Sequence, residues 1–220
     1  MRLLASLAAL VLLTGCNLVI THQPMFTQAD SVGAPAPRPG LWRLSFGADR
    51  GCQVDETRPL KDWPSCSGGM VFGAGTVSYF NRDGEKATWT TEPLILAAGQ
   101  PILGQVKVHM SGDIKLAGDA FAYIGVLPLK LDEAGRFTGF EFWPVQCGPT
   151  SKANDNFTTQ PAAGVKIVPI TADAGADFKV KEFERMCTID EPAVMRRVAA
   201  QSEAWVERKG VGRWVRDKAD

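Results

Sequence analysis

Short segments in which apolar and polar residues alternate recur through most of this chain. In GLWRLSF, which spans Gly40–Phe46, the apolar residues Trp42 and Leu44 alternate with polar ones. Successive side chains of a β-strand point to opposite faces, so this pattern predicts a strand with one buried face.

The same period, interrupted by turn residues, predicts further strands. Residues 68–91 are expected to form two or three short strands around an Asp83-Gly84 turn, and residues 104–110 another. The remaining candidates are a hairpin with arms Phe121–Leu131 and Phe137–Val145 around a turn at 132–135, and the late strands GVKIVPI and DFKVKEF. Many short strands with turns between them are typical of an antiparallel sandwich or a barrel, and both remain open.

The apolar period changes near the C terminus. Val194, Val198 and Trp205 recur at helical spacing, which predicts an amphipathic helix over about residues 190–209, with Asp190 as its N-cap. The predicted fold class is therefore mainly β, an antiparallel sandwich or barrel stapled by disulfides, with one C-terminal amphipathic helix.

The first residues form a targeting segment. Leu3–Leu13 is an apolar stretch behind a short positive end. As a helix it rises about 16 Å, half of the roughly 30 Å of a bilayer core, which indicates a signal peptide rather than a membrane span. The following Leu13-Thr14-Gly15-Cys16 resembles the lipobox of bacterial lipoproteins. The resemblance implies cleavage of residues 1–15, a diacylglycerol on the Cys16 sulfur, acylation of the new amine and the lipid bilayer as a partner.

Residues 16–39 are predicted to be a lipid anchor and a flexible tether. Their prolines favour an extended chain, and a single β-rich domain is expected over residues 40–220. Asn17 follows the anchor. In the enterobacterial sorting system an Asp at this place retains lipoproteins in the inner membrane, so Asn17 implies the outer membrane, with the domain facing the periplasm.

Four cysteines besides Cys16 are available for disulfides: Cys52, Cys66, Cys147 and Cys187. An even number of cysteines in an exported chain indicates two disulfides, for which three pairings are possible. We favour Cys52–Cys66 and Cys147–Cys187, because the segment between the first two is rich in turn residues. Structural zinc is not expected, since the chain has no C-x-x-C pair and two histidines in all.

The Gly40-x-Trp42 triplet at the start of the first predicted strand resembles the first fingerprint of lipocalins. In that family the tryptophan plugs the closed end of an eight-stranded barrel that holds apolar ligands. No Thr-Asp-Tyr turn follows between later strands. The triplet therefore also fits a core tryptophan in an opening strand, and no domain family is identified.

Few residues offer catalytic chemistry. His109 is the one histidine of residues 40–220, and no G-x-S-x-G nucleophile motif occurs. Residues 67–75 lack the Lys-Ser/Thr of a phosphate loop and predict a turn or bulge. The acidic pairs Asp55-Glu56 and Asp132-Glu133 lie in predicted turns, where acidic residues are common. No catalytic residue, metal or cofactor is predicted, and a formal net charge of zero gives no basic field for nucleic acid.

Basic and aromatic residues cluster at the C terminus, at Arg213, Trp214, Arg216 and Lys218. One hypothesis is contact with an anionic envelope surface, where each basic residue contributes about 1 kcal/mol. The other, which the sequence favours, is structural: the cations complement the helix dipole and Trp214 covers a sheet edge.

The anchor, the tether and the missing chemistry favour a non-enzymatic envelope lipoprotein. Its domain is expected to bind a partner protein, a lipid or an envelope polymer that the sequence does not identify. Two alternatives remain open. One is a cell-wall or lipid hydrolase with two catalytic carboxylates, and the other is a carrier with an apolar barrel cavity.

Overall fold

A computed structural model describes residues 17–46, 52–64, 66–83, 86–107, 119–150, 158, 160–169 and 185–217. Its helix α1 spans Pro192–Trp205, and two short 3-10 turns span Gln28–Ser31 and Leu60–Asp62. The strands are β1 (Ile20–Thr21), β2 (Gly40–Phe46), β3 (Gly68–Phe72), β4 (Thr76–Asp83), β5 (Lys86–Ala97), β6 (Ile102–Lys107), β7 (Phe121–Leu131), β8 (Phe137–Pro144), β9 (Lys166–Pro169), β10 (Arg185–Thr188) and β11 (Gly210–Arg216).

Eight strands close into an antiparallel barrel. From β2 to β8 each strand pairs with the next in the chain. After α1 the chain returns as β11, which pairs with β8 on one side and β2 on the other. Closure leaves no unpaired edge, and it decides between the two predicted architectures in favour of the barrel.

The barrel has two different ends. The antiparallel order means that β2, β4, β6 and β8 begin at one end, which we call the plugged end, and finish at the other, which we call the mouth end. At the plugged end the ring of Trp42 has its centroid 5.3 Å from Phe72, 5.8 Å from Phe137 and 5.2 Å from Phe140. These aromatic rings fill the interior there.

Two glycines of β11 make room for the inner phenylalanines. A Cβ on Gly212 would lie 2.2 Å from the ring of Phe140, and one on Gly210 would lie 2.3 Å from the ring of Phe142. The closing strand therefore presents bare backbone to the rings of its neighbour β8, which is a use of glycine that hydrophobic patterning does not detect.

The helix α1 builds a second core on the outside of the barrel. Met195, Val198 and Ala199 are fully buried against the outer faces of β7 and β8. The indole N–H of Trp143 donates to the carbonyl of Ala199 at 2.8 Å. The predicted helix was right in its buried face but too long, because the chain leaves the helix at Trp205 to enter β11.

The predicted flexible tether is wrong. Leu18, Val19 and Phe26 are buried in the outer cores, and Ile20 and Thr21 pair with Ala122 and Phe121 of β7. The prolines do favour extended chain, but the apolar run that begins at Leu18 supplies surface that folding removes from water. The folded region therefore includes residues before Gly40, from Asn17 onward among those described.

Both disulfides are the expected pairs. The Cα atoms of Cys52 and Cys66 lie 5.9 Å apart and those of Cys147 and Cys187 lie 5.8 Å apart, inside the range for a disulfide. The first closes a loop that packs Leu60 and Trp63 on the outside of β2. The second ties the chain just after β8 to β10.

Of two predicted turns, the one at Gly68 and Gly69 was wrong and the one at Asp132 was confirmed. Gly68 and Gly69 lie inside β3 rather than in a turn or bulge. Position 69 needs a glycine in this strand, because a Cβ there would lie 2.2 Å from the Leu60 side chain. Asp132 does organise the predicted turn, since its Oδ1 accepts the N–H groups of Ala134 and Arg136. His109, Cys16 and Lys218 lie outside the described residues.

Candidate ligand-binding site

The inner face of the barrel changes from buried to half-exposed between its two ends. At the plugged end Trp42 is 0% exposed, while at the mouth end Phe46 is 40% exposed. Val106, Ala122 and Ile124, also on the inner face, are half-buried. Several described side chains on the inner face are therefore more exposed at the mouth end than Trp42 is at the plugged end.

A strap of chain, residues 36–39, covers the plugged end. The N–H of Arg38 donates to the carbonyl of Phe137, and the N–H of Phe137 donates to the carbonyl of Ala36. The indole N–H groups of Trp42 and Trp214 donate to the carbonyls of Arg38 and Pro39, at 2.9 and 3.1 Å. The strap is thus bound to the Phe137 backbone on one side and to the indoles of Trp42 and Trp214 on the other. The chain itself therefore closes this end of the barrel.

The wall between the ends is mostly apolar. The buried side chains of this lining include Met70, Leu94, Leu96, Ile102, Val126 and Phe142. Gly104 lies among them, and a Cβ there would meet Ile124 at 2.7 Å. An apolar lining of this kind is the usual environment for an apolar small molecule.

Polar side chains also face the interior, among them Tyr79 and Glu92. Tyr79 on β4 is opposite Thr90, and Glu92 on β5 is opposite the inner residue Val77, so both face the interior. Burial raises the pKa of the Tyr79 hydroxyl above its ordinary value, and the negative charge of Glu92 raises it further. The hydroxyl therefore keeps its proton at neutral pH and can donate a hydrogen bond to a ligand.

Other buried polar groups hold the N-terminal segment. The side-chain carbonyl of Gln105 accepts the N–H groups of Met25 and Phe26, at 2.7 and 2.8 Å. The hydroxyls of Thr21 and Tyr123 lie 2.6 Å apart. These contacts explain why the N-terminal segment is part of the barrel's outer layer.

Asn17, the residue that follows Cys16, is fixed on three sides. Asn17 is 1% exposed, and its side-chain amide donates to the carbonyl of Gly148 at 2.9 Å. Its side-chain carbonyl accepts the N–H of Thr158, and its backbone carbonyl accepts the N–H of Cys147 at 2.8 Å. Sequence reasoning missed this docking, although the apolar residues directly after Asn17 were a usable indication.

The described basic side chains of the C-terminal cluster contact neighbouring parts of the chain. Arg213 forms an ion pair with Glu56, and Arg216 donates to the carbonyls of Glu56 and Arg58. The guanidinium of Arg38 stacks 3.7 Å from the ring centroid of Trp214. These side chains fasten the disulfide loop and the strap to β11, which is a structural role of the kind that the sequence favours. Trp214 faces the interior of a closed barrel rather than covering a sheet edge. Contact of this cluster with an anionic envelope surface stays a prediction.

Comparison with models of known families, with curated proteins and with solved structures finds no match for this chain. The lipocalin resemblance of Gly40-x-Trp42 predicts an eight-stranded barrel with the tryptophan at a closed end. An eight-stranded barrel with Trp42 at a closed end is present, but its last strand follows a helix, so it departs from a continuous up-and-down barrel. The fold is compatible with a binding or carrier module.

Among the residues that the structure describes, no group of three or more histidine, cysteine or acidic side chains is placed to hold a metal ion. In the same part of the chain no helix has the length and apolar character to cross a bilayer.

Proposed function

We propose that this protein is a lipid-anchored envelope lipoprotein whose barrel binds a small apolar or amphiphilic ligand through the mouth end. The observation that carries the proposal is the change of exposure along the inner face, from a buried Trp42 to a half-exposed Phe46. A ligand in the mouth removes water from these inner side chains. Burial of roughly every 100 Å² of apolar surface contributes about 2.5 kcal/mol before the costs of association.

Tyr79 and Glu92 define which polar group the ligand carries. The protonated Tyr79 hydroxyl donates to an acceptor, while the Glu92 carboxylate favours a donor or a cation and repels an anion. The ligand that fits has an apolar body and a neutral or cationic hydrogen-bonding group. A fatty acid carboxylate would face Glu92 and is disfavoured.

The cellular setting follows from the lipobox resemblance. Acylation of Cys16 would hold the protein on a bilayer, with Asn17 consistent with delivery to the outer membrane and a domain in the periplasm. Several acyl chains are needed, because a single chain gives marginal membrane binding. Membrane fractionation of the native chain and of Cys16→Ser tests this part independently of ligand binding.

Binding is tested with a neutral apolar fluorescent amine, N-phenyl-1-naphthylamine, titrated into the exported Cys16→Ser form. We expect saturable binding that a long-chain alkylamine or alcohol displaces better than the fatty acid of the same length. Val106→Trp fills the mouth and should raise the Kd of the probe about tenfold or more. Thr91→Trp, on the exposed outer face of the neighbouring strand, is the matched control.

Two results would contradict the proposal. One is the absence of saturable probe binding by a form whose melting curve shows that it is folded. The other is equal affinity in the Val106→Trp and Thr91→Trp variants, since the probe would then bind outside the barrel.

A further inference from the structure

No free spacer separates the lipobox cysteine from the folded barrel. Asn17 is buried and hydrogen-bonded to Gly148, Thr158 and Cys147. Consecutive Cα atoms across a trans peptide are about 3.8 Å apart. An acyl group on Cys16 therefore starts within one residue of the packed surface, and the bilayer must lie against that part of the barrel.

The docking point of the N terminus lies at the mouth end. Leu18 pairs with Gln146, two residues after β8 finishes, and Ile20 pairs with Ala122 near the start of β7. Both β8 and β7 have these termini at the mouth end. Four residues span at most about 14 Å, so the Cα of Cys16 lies within that distance of the Cα of Ile20, whose partner Ala122 is on the rim.

We propose that the mouth of the barrel faces the bilayer that holds the acyl chains of Cys16, and that the ligand is a membrane amphiphile taken directly from that bilayer. The inference rests on the proposed lipidation of Cys16 and on the proposed binding in the barrel. It adds the orientation of the barrel, the source of the ligand and the lipid surface as the partner of the rim.

Exposed aromatic side chains at the mouth end support this orientation. Phe46 ends β2 at the rim, with 40% of its surface exposed. Trp89, which is 44% exposed, lies near the start of β5 and packs on Phe80 with ring centroids 5.4 Å apart. Tryptophan is favoured where an apolar phase meets water, which is the place that the orientation gives it.

The plugged end also carries exposed apolar side chains, but it is too far from the anchor. Leu131 ends β7, nine residues after Ala122, which corresponds to about 30 Å along the strand. The Cα of Cys16, within about 14 Å of the Cα of Ile20, therefore favours the rim over Leu131 as the part of the barrel that meets the bilayer. The chain geometry selects the mouth end as the one that meets lipid.

Orientation is tested on the lipidated full chain in phospholipid vesicles that contain nitroxide-labelled lipid. An environment-sensitive fluorophore is placed on Thr88→Cys, exposed near the start of β5, or on Ala134→Cys, exposed in the β7–β8 turn at the plugged end. We expect quenching at position 88 and none at position 134. Quenching at 134 equal to or stronger than at 88, or at neither position, would overturn the orientation.

A spacer variant supplies the matched control. A flexible Gly/Ser insert of about ten residues between Cys16 and Asn17 has an r.m.s. end-to-end distance of about 18 Å. It leaves every described contact in place, so probe affinity in solution should not change. Quenching at position 88 should be lost, and retention of full quenching would show that the direct connection does not set the orientation.

The source of the ligand is tested by loading. A fluorescent single-chain alkylamine is placed in the vesicles, and its transfer to the anchored chain is compared with its transfer to Cys16→Ser at the same concentration. Faster loading of the anchored chain is expected, whereas equal rates mean passage through water and overturn direct uptake.

Failure of the proposed function is separable from failure of this orientation. A native chain that does not float with vesicles overturns lipidation and orientation together. A chain that floats and binds the probe, but shows position 134 at the bilayer, overturns the orientation alone.

Discussion

The two ends of the barrel are built from the same strands but are finished differently. At the plugged end the strap residues 36–39 cover the barrel and hydrogen-bond to Trp42, Trp214 and Phe137. The rings of Trp42 and Phe137 are therefore buried away from water. At the mouth end the inner face stays half-exposed, and the N terminus docks on the outside instead. One barrel thus separates a region that contributes stability from a region available for binding.

The largest expected effect tests that separation directly. Trp42→Ala removes the central ring of the plug and should lower the free energy of unfolding by about 3–5 kcal/mol, which corresponds to a fall in melting temperature of about 10 °C. Phe46→Ala, on the same face of the same strand at the mouth, should cost much less because Phe46 is already 40% exposed. Denaturant unfolding of both variants measures the difference, and equal losses would remove the distinction between the ends.

Removal of the Cys147–Cys187 disulfide should have the next largest effect. Its sequence separation of 40 residues predicts a loss of about 4 kcal/mol in the chain-entropy model, compared with about 3 kcal/mol for the separation of 14 between Cys52 and Cys66. Paired Cys→Ala variants, unfolded under the same conditions, give both values. Removal of Cys147–Cys187 should also weaken probe binding more than removal of Cys52–Cys66, since Cys147 donates its N–H to the carbonyl of Asn17 at the mouth end.

A glycine substitution should cost less, because the clash it creates is local. In Gly212→Ala the new Cβ would lie 2.2 Å from the ring of Phe140, and displacement of that ring should cost about 1–3 kcal/mol. Gly139→Ala is the matched control on β8, since its Cβ would meet the nearest atoms at 3.9 Å. Equal stability of the two variants would show that the plug has room that the structure does not indicate.

The local strand pattern was predictable, whereas barrel closure was not. The strand Gly40–Phe46 and the hairpin around Asp132 follow from alternation and turn chemistry within short segments. Closure depends on β11, in which Gly210 and Gly212 occupy inner positions beside Phe142 and Phe140. Glycine carries no hydrophobic signal, so this strand was interpreted as a cationic tail after the helix.

The error at the N terminus has a related cause. Proline content predicted a tether, and the strap is indeed extended chain, but its carbonyl groups and N–H groups are used by Trp42 and Phe137. Asn17 was considered only as a sorting residue, although its amide binds Gly148 and Thr158. The contacts of Asn17 join residues more than 100 positions apart, and no local pattern encodes them.

The smallest effect expected is a pH dependence at the plugged end. The N–H of Thr27 and then its hydroxyl donate to the Asp30 carboxylate, at 2.8 and 3.0 Å, and these hydrogen bonds hold the pKa of Asp30 below its ordinary value. A depressed pKa in the folded state means that the stabilisation is present above the pKa of the unfolded chain and is lost as the pH falls through the folded value. Asp30→Asn should therefore slightly reduce the loss of stability as the pH falls below about 4.

Glu133→Gln, which removes a carboxylate from an exposed turn at the same end, controls for net charge. Denaturation midpoints at a series of pH values measure both, and identical acid profiles for Asp30→Asn and the unaltered chain would mean that the Thr27–Asp30 contact does not help to hold the segment that leads into the strap.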